Sequence, residues 1–187
     1  MYNSVEIIAE VKIQSPFGYK SSKSWDDLFA VANKIGDVIS IHTDRRWGGS
    51  FELLKKARDL TSKPILAKGI HETDDEIQHA INCGADYVLA VGRIPQIEDI
   101  QKCLIESLTL SELHCIPKNL KAVWNSRELR DGSIKDDKFA NARKVFSGWL
   151  CQASNIRTID DIEDGANAII VGTNLIEFAA SLNRDIF

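Results

Sequence analysis

Val5-Glu6-Ile7-Ile8-Ala9-Glu10-Val11-Lys12 is an apolar run that closes on two charged residues. The same pattern returns in Pro64-Ile65-Leu66-Ala67-Lys68 and in Leu104-Ile105-Glu106. Each run reads as a buried strand whose end carries an acid or a base. Charged groups at strand ends are held rigidly and partly desolvated, so their proton affinities can be tuned. Glu10, Lys12, Lys68 and Glu106 therefore point to an enzyme that moves protons on an anionic substrate.

Working outward from these runs, β-branched apolar segments recur at Glu6 to Val11, Val38 to His42, Pro64 to Ala67, Tyr87 to Val91, Cys103 to Glu106, Lys121 to Trp124, Gly148 to Gln152 and Ala168 to Val171. Apolar strands alternating with helical segments mark a parallel α/β sheet covered on both faces. The number of runs favours a closed (β/α)8 TIM barrel forming one domain over residues 1–187. An open doubly wound sheet is the alternative, but no G-x-G-x-x-G follows the first strand.

Helix starts fall between the strands. Ser24 is placed to cap Trp25 to Ile35, Ser50 to cap Phe51 to Leu60, and Thr73 to cap Asp74 to Asn82. The helix after the fourth strand is confined to Gln96 to Lys102, and Pro117 leaves little room in Thr109 to Asn119 after the fifth. Later helices are expected at Phe139 to Phe146 and Leu175 to Leu182. The chain is shorter than the roughly 200–250 residues usual for this barrel, which agrees with abbreviated helices after strands four and five. A thin helical layer favours a homo-oligomer or a protein partner covering the open barrel end.

Composition narrows the function classes. The 187 residues are 44% hydrophobic and carry a net charge of −4, enough for one core and without a basic surface for nucleic acid. No apolar run approaches the roughly 20 residues of a membrane span, and no leader pattern opens the chain, so a cytoplasmic protein is expected. Cys83, Cys103, Cys115 and Cys151 are scattered and read as reduced structural thiols. His42, His71, His79 and His114 form no ligand pair and read as four unrelated histidines, with no metal site.

Beyond periodicity, the segment Ile8-Ala9-Glu10-Val11-Lys12-Ile13-Gln14-Ser15-Pro16 resembles the opening motif of the indole-3-glycerol phosphate synthase family. Ser40-Ile41-His42-Thr43-Asp44-Arg45-Arg46-Trp47-Gly48-Gly49-Ser50 is similar to that family's second-strand loop, and Pro64 to Lys68 to its third strand. Gly84 to Leu89, Leu104 to Glu106, Trp124 to Leu129 and Gly165 to Thr173 resemble its fourth, fifth, sixth and eighth strands in order. Ordered matches at successive strand ends make coincidence improbable.

The resemblance implies a carboxy-lyase of tryptophan biosynthesis that needs no cofactor. Its substrate is a small phosphorylated molecule, 1-(o-carboxyphenylamino)-1-deoxyribulose 5-phosphate, which closes a pyrrole ring with loss of carbon dioxide and water. On that pattern Lys68 is the general acid and Glu106 the general base. Lys12 contacts the anionic groups, Glu10 orients the site, and Asn125 holds a glutamate or the reacting sugar hydroxyl. Ser15 and Pro16 join the substrate contacts through the motif. Arg127 either pairs with the anthranilate carboxylate or is a solvated surface arginine. Ser154, Gly172 and Thr173 occupy the places of the phosphate loops, although Thr173 and Asn174 also suit caps of the last helix. Phe17, Trp47 and Trp124 either stack on the aromatic substrate or fill the core. Gly48 and Gly49 are read as a turn.

Three departures mark a reduced and divergent member. The first strand opens at Glu6, leaving no counterpart to the family's N-terminal helical extension, so a more open site or a covering partner is expected. Ala153-Ser154-Asn155 stands for Glu-Ser-Gly at the seventh strand, where asparagine best replaces glycine in left-handed backbone. Gly69-Ile70 stands for Asp-Phe after Lys68. These departures keep two alternatives open. One is a noncatalytic or partner-dependent phosphate-ligand-binding barrel; the other is a barrel enzyme on another phosphorylated sugar, such as phosphoribosylanthranilate isomerase. The isomerase would need a cysteine and aspartate pair that the chain does not show.

Overall fold

A computed structural model describes residues 5–182. Eight parallel strands close into a barrel in chain order: β1 (Glu6–Val11), β2 (Val38–His42), β3 (Ile65–Lys68), β4 (Tyr87–Val91), β5 (Cys103–Ser107), β6 (Lys121–Asn125), β7 (Leu150–Ala153) and β8 (Ala168–Val171). The expected (β/α)8 barrel is the fold, with strand ends shifted by a residue or two. Closure comes from β1, which pairs with β2 through Ile8↔Val38 and with β8 through Ile8↔Ile170.

Side chains alternate across each strand, and this period of two divides the core. Ala9, Ile39, Ala67, Ile105, Trp124 and Ile169 face outward into the layer between barrel and helices. Ile8, Val38, Leu66, Leu104, Val123 and Ile170 fill the barrel interior. Two residues beyond each of these interior residues stand Glu10, Ser40, Lys68, Glu106, Asn125 and Gly172. Two further on along the first two strands stand Lys12 and His42. The apolar barrel filling thus turns polar at the carboxyl ends of the strands, where barrel enzymes place their sites.

The outer helices form where their caps foretell. α1 (Trp25–Ile35) and α3 (Asp74–Asn82) open on capping boxes, Ser24 with Asp27 and Thr73 with Glu76. Ser50 accepts from the Leu53 amide at the start of α2 (Phe51–Leu60). The shortened crossovers are also present. Only a 3-10 turn, Ile100–Lys102, follows β4, and α4 (Leu110–Cys115) after β5 stops before Pro117. The seventh crossover is equally reduced, to the turn Ile159–Asp161, while α5 (Phe139–Val145) and α6 (Leu175–Ser181) complete the shell. Among the described residues no helix is long and apolar enough to cross a membrane.

Candidate active site

Glu10 is the hub of the rim. It is 2% exposed, yet both carboxylate oxygens are satisfied. Oε2 accepts from Lys68 Nζ at 2.5 Å and Oε1 meets His42 Nε2 at 2.8 Å. Burial pushes the Glu10 carboxyl up, but Lys68 and His42 outweigh it and hold the group well below the usual carboxylate range. For Lys68, burial pulls the ammonium down, and Glu10 and Glu106 together raise it above the ordinary lysine value. The lysine is therefore kept cationic.

Glu106 has the opposite character. It is 1% exposed, and burial raises its carboxyl above the ordinary value against Lys68 and a hydrogen bond from Asn125. Asn125 Nδ2 donates to Glu106 Oε1 at 2.9 Å, and Asn125 Oδ1 accepts from Ser154 Oγ at 2.7 Å and from the Arg127 amide at 3.0 Å. Of its two expected partners, Asn125 thus holds the glutamate. Two carboxyls on strands β1 and β5, on opposite sides of the barrel, are pushed apart in proton affinity, the pattern expected where one group anchors and the other exchanges protons.

Two cavities meet over these residues. The first has an apolar wall that includes Phe17, Trp47, Ile70, Leu89 and Leu129. The second, of about 340 Å³, is lined by the ends of β7 and β8, including Ser154, Asn155, Gly172 and Thr173. Lys12, Lys68, Arg127 and Ser154 line both, so the charged groups lie at the junction. Lys12 Nζ donates to Thr173 Oγ1 at 3.1 Å, tying the first strand to the eighth-strand loop. Burial, with Lys68 and Arg127 nearby, lowers the Lys12 ammonium although Glu10 opposes this.

Arg127 is half-buried rather than solvated. Its guanidinium donates to the Gly132 carbonyl at 2.9 Å and to Asn155 Oδ1 at 3.3 Å. Asn155 has φ 59° and Ser154 φ 72°, so the seventh-strand loop does adopt left-handed backbone where asparagine replaces glycine. Asn174 does not cap α6 with its side chain; it donates to the Ile156 carbonyl at 3.3 Å and ties the two loops together. Ala153 packs inside the barrel, where the lost carboxylate would have stood.

Ser15 and Pro16 line neither cavity. Ser15 Oγ accepts from the amides of Phe17 and Tyr19, both at 3.3 Å, and so shapes the loop that carries Phe17 to the apolar wall. Trp124 is core, 1% exposed, with its indole donating to the Asp137 carbonyl. Trp47 and Phe17 pack edge to face with ring centroids 6.4 Å apart. Reading the histidines as unrelated overlooks His42. Counting in twos from Val38 puts it on the interior face, within the second-strand segment, a position that weighing the histidines only as metal ligands does not reveal.

The fold and rim together define a (β/α)8 barrel with a partly buried lysine, two buried carboxyls and adjoining cavities at the carboxyl ends of its strands. The chain belongs to the indole-3-glycerol phosphate synthase family, a family of lyases of tryptophan biosynthesis, whose model it matches over residues 2–184. The indole-3-glycerol phosphate synthase of Sulfurisphaera tokodaii is 33% identical over 91% of this chain and 78% of that protein. The enzyme of the same description from Pyrococcus furiosus is 28% identical over 91% of this chain and 86% of that protein. A crystal structure of 3-hexulose-6-phosphate synthase superposes with a TM-score of 0.64 over 95% of this chain and 99% of that one. Its 14% identity makes it a likeness of fold.

Proposed function

We propose that this chain is an indole-3-glycerol phosphate synthase acting on 1-(o-carboxyphenylamino)-1-deoxyribulose 5-phosphate. The observation that carries the reading is the junction of the two cavities. An apolar wall suited to an aromatic ring and a polar loop end suited to a phosphate meet where Lys68 stands between Glu10 and Glu106. The substrate has the same order, an aromatic acid at one end, a phosphate at the other and the reacting ketone between them.

In this reading Lys68 donates a proton to the ketone oxygen as the aromatic carbon attacks, which neutralises the developing alkoxide. Carbon dioxide then leaves and aromaticity returns. Lys68, reprotonated from solvent, donates a second proton to the hydroxyl, which leaves as water, and a proton is lost from the new ring. Glu106 takes that proton, because burial has raised its affinity and Asn125 fixes its direction. Lys12 and Arg127 hold the anionic ends. Ser154, Gly172 and Thr173 supply the phosphate side, while Ser15 and Pro16 act through the first loop, which carries Phe17 to the apolar wall. A second copy or another protein covering the open rim belongs to the same proposal. Ile134, 69% exposed, stands at the edge of the polar cavity as an apolar contact for such a cover.

Indole-chromophore formation from this substrate by purified protein is the test. Lys68→Ala and Glu106→Gln are each expected to lose on the order of 10²–10⁴-fold in kcat, the range of general acid–base catalysis. Folded wild-type protein without turnover would shift the reading to a phosphate-ligand-binding barrel.

A further inference from the structure

We propose that His42 is a positioning residue for this ring closure, holding the second oxygen of Glu10 so that the Glu10–Lys68 pair keeps one geometry at the cavity junction. The proposal rests on the synthase reading for its catalytic consequence, whereas the contact to Glu10 stands by itself.

The geometry is specific. His42 ends β2, is 4% exposed, and lines the apolar cavity. Trp47 stacks on its ring at 5.9 Å between centroids and 4° between planes, which restricts the imidazole to one orientation. Glu10, ionised against Lys68, has only lone pairs to offer, so His42 Nε2 carries the hydrogen of the 2.8 Å contact. Nδ1 is buried without a hydrogen-bond partner among the described residues. A doubly protonated ring would bury an N–H there with no acceptor, and the neutral ring avoids this. The charged groups facing the ring are Glu10 from β1, Lys12 just after it, Lys68 from β3 and Asp44 after β2. Burial, against Glu10, lowers the affinity of His42 for a second proton.

Without His42, Glu10 Oε1 would be a buried acceptor lacking a partner, and the carboxylate could rotate with Lys68 attached. Displacing an acid from its reacting atom by about 1 Å can cost on the order of 10²-fold. Glutamine can place an amide nitrogen near the position of Nε2, whereas leucine keeps bulk without a donor and the shorter asparagine amide stops short of Glu10.

Wild type, His42→Leu, His42→Asn and His42→Gln are compared in the indole assay and by carbon-13 NMR titration of the Glu10 carboxyl. Leu and Asn are expected to lower kcat roughly 10- to 100-fold with KM unchanged. They should also move the Glu10 titration upward, and Gln should restore both. Glu10 titrating unchanged in the Leu and Asn variants, or kcat equal to that of wild type, overturns the proposal. Wild type without turnover sinks the synthase reading alone, and the Glu10 titration then decides whether His42 holds it.

Discussion

A Cβ at Gly172 would come within 2.6 Å of the Glu10 carboxylate. The glycine that opens the eighth-strand loop is thus the space into which the hub carboxylate of the rim fits. Its role is close approach rather than backbone freedom. Gly172→Ala should push Glu10 off its line to Lys68, with kcat falling on the order of 10²-fold and overpacking costing about 1–3 kcal/mol. Steady-state kinetics beside thermal unfolding checks this; full activity in the alanine variant would contradict it.

Asn125→Ala removes the hydrogen bond that lowers Glu106 and leaves Ser154 Oγ without its acceptor. Glu106 should then bind its proton more tightly still. The acid limb of the kcat profile is expected to move to higher pH, with kcat at neutral pH down roughly 10- to 100-fold. A limb that stays in place would remove Glu106 from the base role.

Glu106 trades stability for function. Its folded pKa is raised, so it lends stability below its unfolded value of roughly 4.3 and loses that contribution as pH rises through the folded value. With its proton affinity raised in the fold, Glu106 costs stability at neutral pH relative to an uncharged side chain. Glu106→Gln should therefore unfold later than wild type at neutral pH, by on the order of 1 kcal/mol, and the difference should shrink on acidification. Denaturant titrations across pH measure it.

Glu10 behaves with the opposite sign. Its folded pKa is depressed, so its contribution is present above the unfolded value and lost as pH falls through the folded one. Glu10→Gln also leaves Lys68 buried without its nearest anion, and breaking such a pair costs about 3–5 kcal/mol. Both variants belong in the same titration series, where a stabilising Glu10→Gln would refute the ion-pair account.

Asn155 combines a left-handed backbone, φ 59°, with two side-chain bonds, to Arg127 and to Ser126 at 3.0 Å. Asn155→Ala loses both and keeps the Cβ strain; Asn155→Gly loses both and relieves the strain. The alanine variant should be less stable than the glycine variant by about 1–2 kcal/mol. Equal unfolding midpoints would show that the loop relaxes to another conformation.

Much of the site was visible in the chain because its central residues stand at or within one position of a strand end. Lys68, Glu106 and Asn125 follow apolar runs whose period of two already sets their face. The contact of His42 with Glu10 was not visible, since the two residues lie 32 positions apart and only strand pairing brings them together. Trp124, by contrast, shares a motif with Asn125 but occupies the preceding position, and the same alternation turns it outward into the core. Between the seventh and eighth strands no helix is expected from the sequence, and the structure has only the turn Ile159–Asp161 opened by Thr158.

The sequence by itself determined the strand order, the first three helix starts and the supply of acids and bases at one rim, because those follow from local periodicity and capping chemistry. Only the tertiary structure decided which groups meet: Glu10 with His42 and Lys68, Glu106 with Asn125 and Ser154, Lys12 with Thr173. Those pairings run from strand to strand around the barrel mouth, and strand register and closure set them. Neither leaves a mark in any local stretch of chain, since a slip of one residue would turn every inward side chain to the other face.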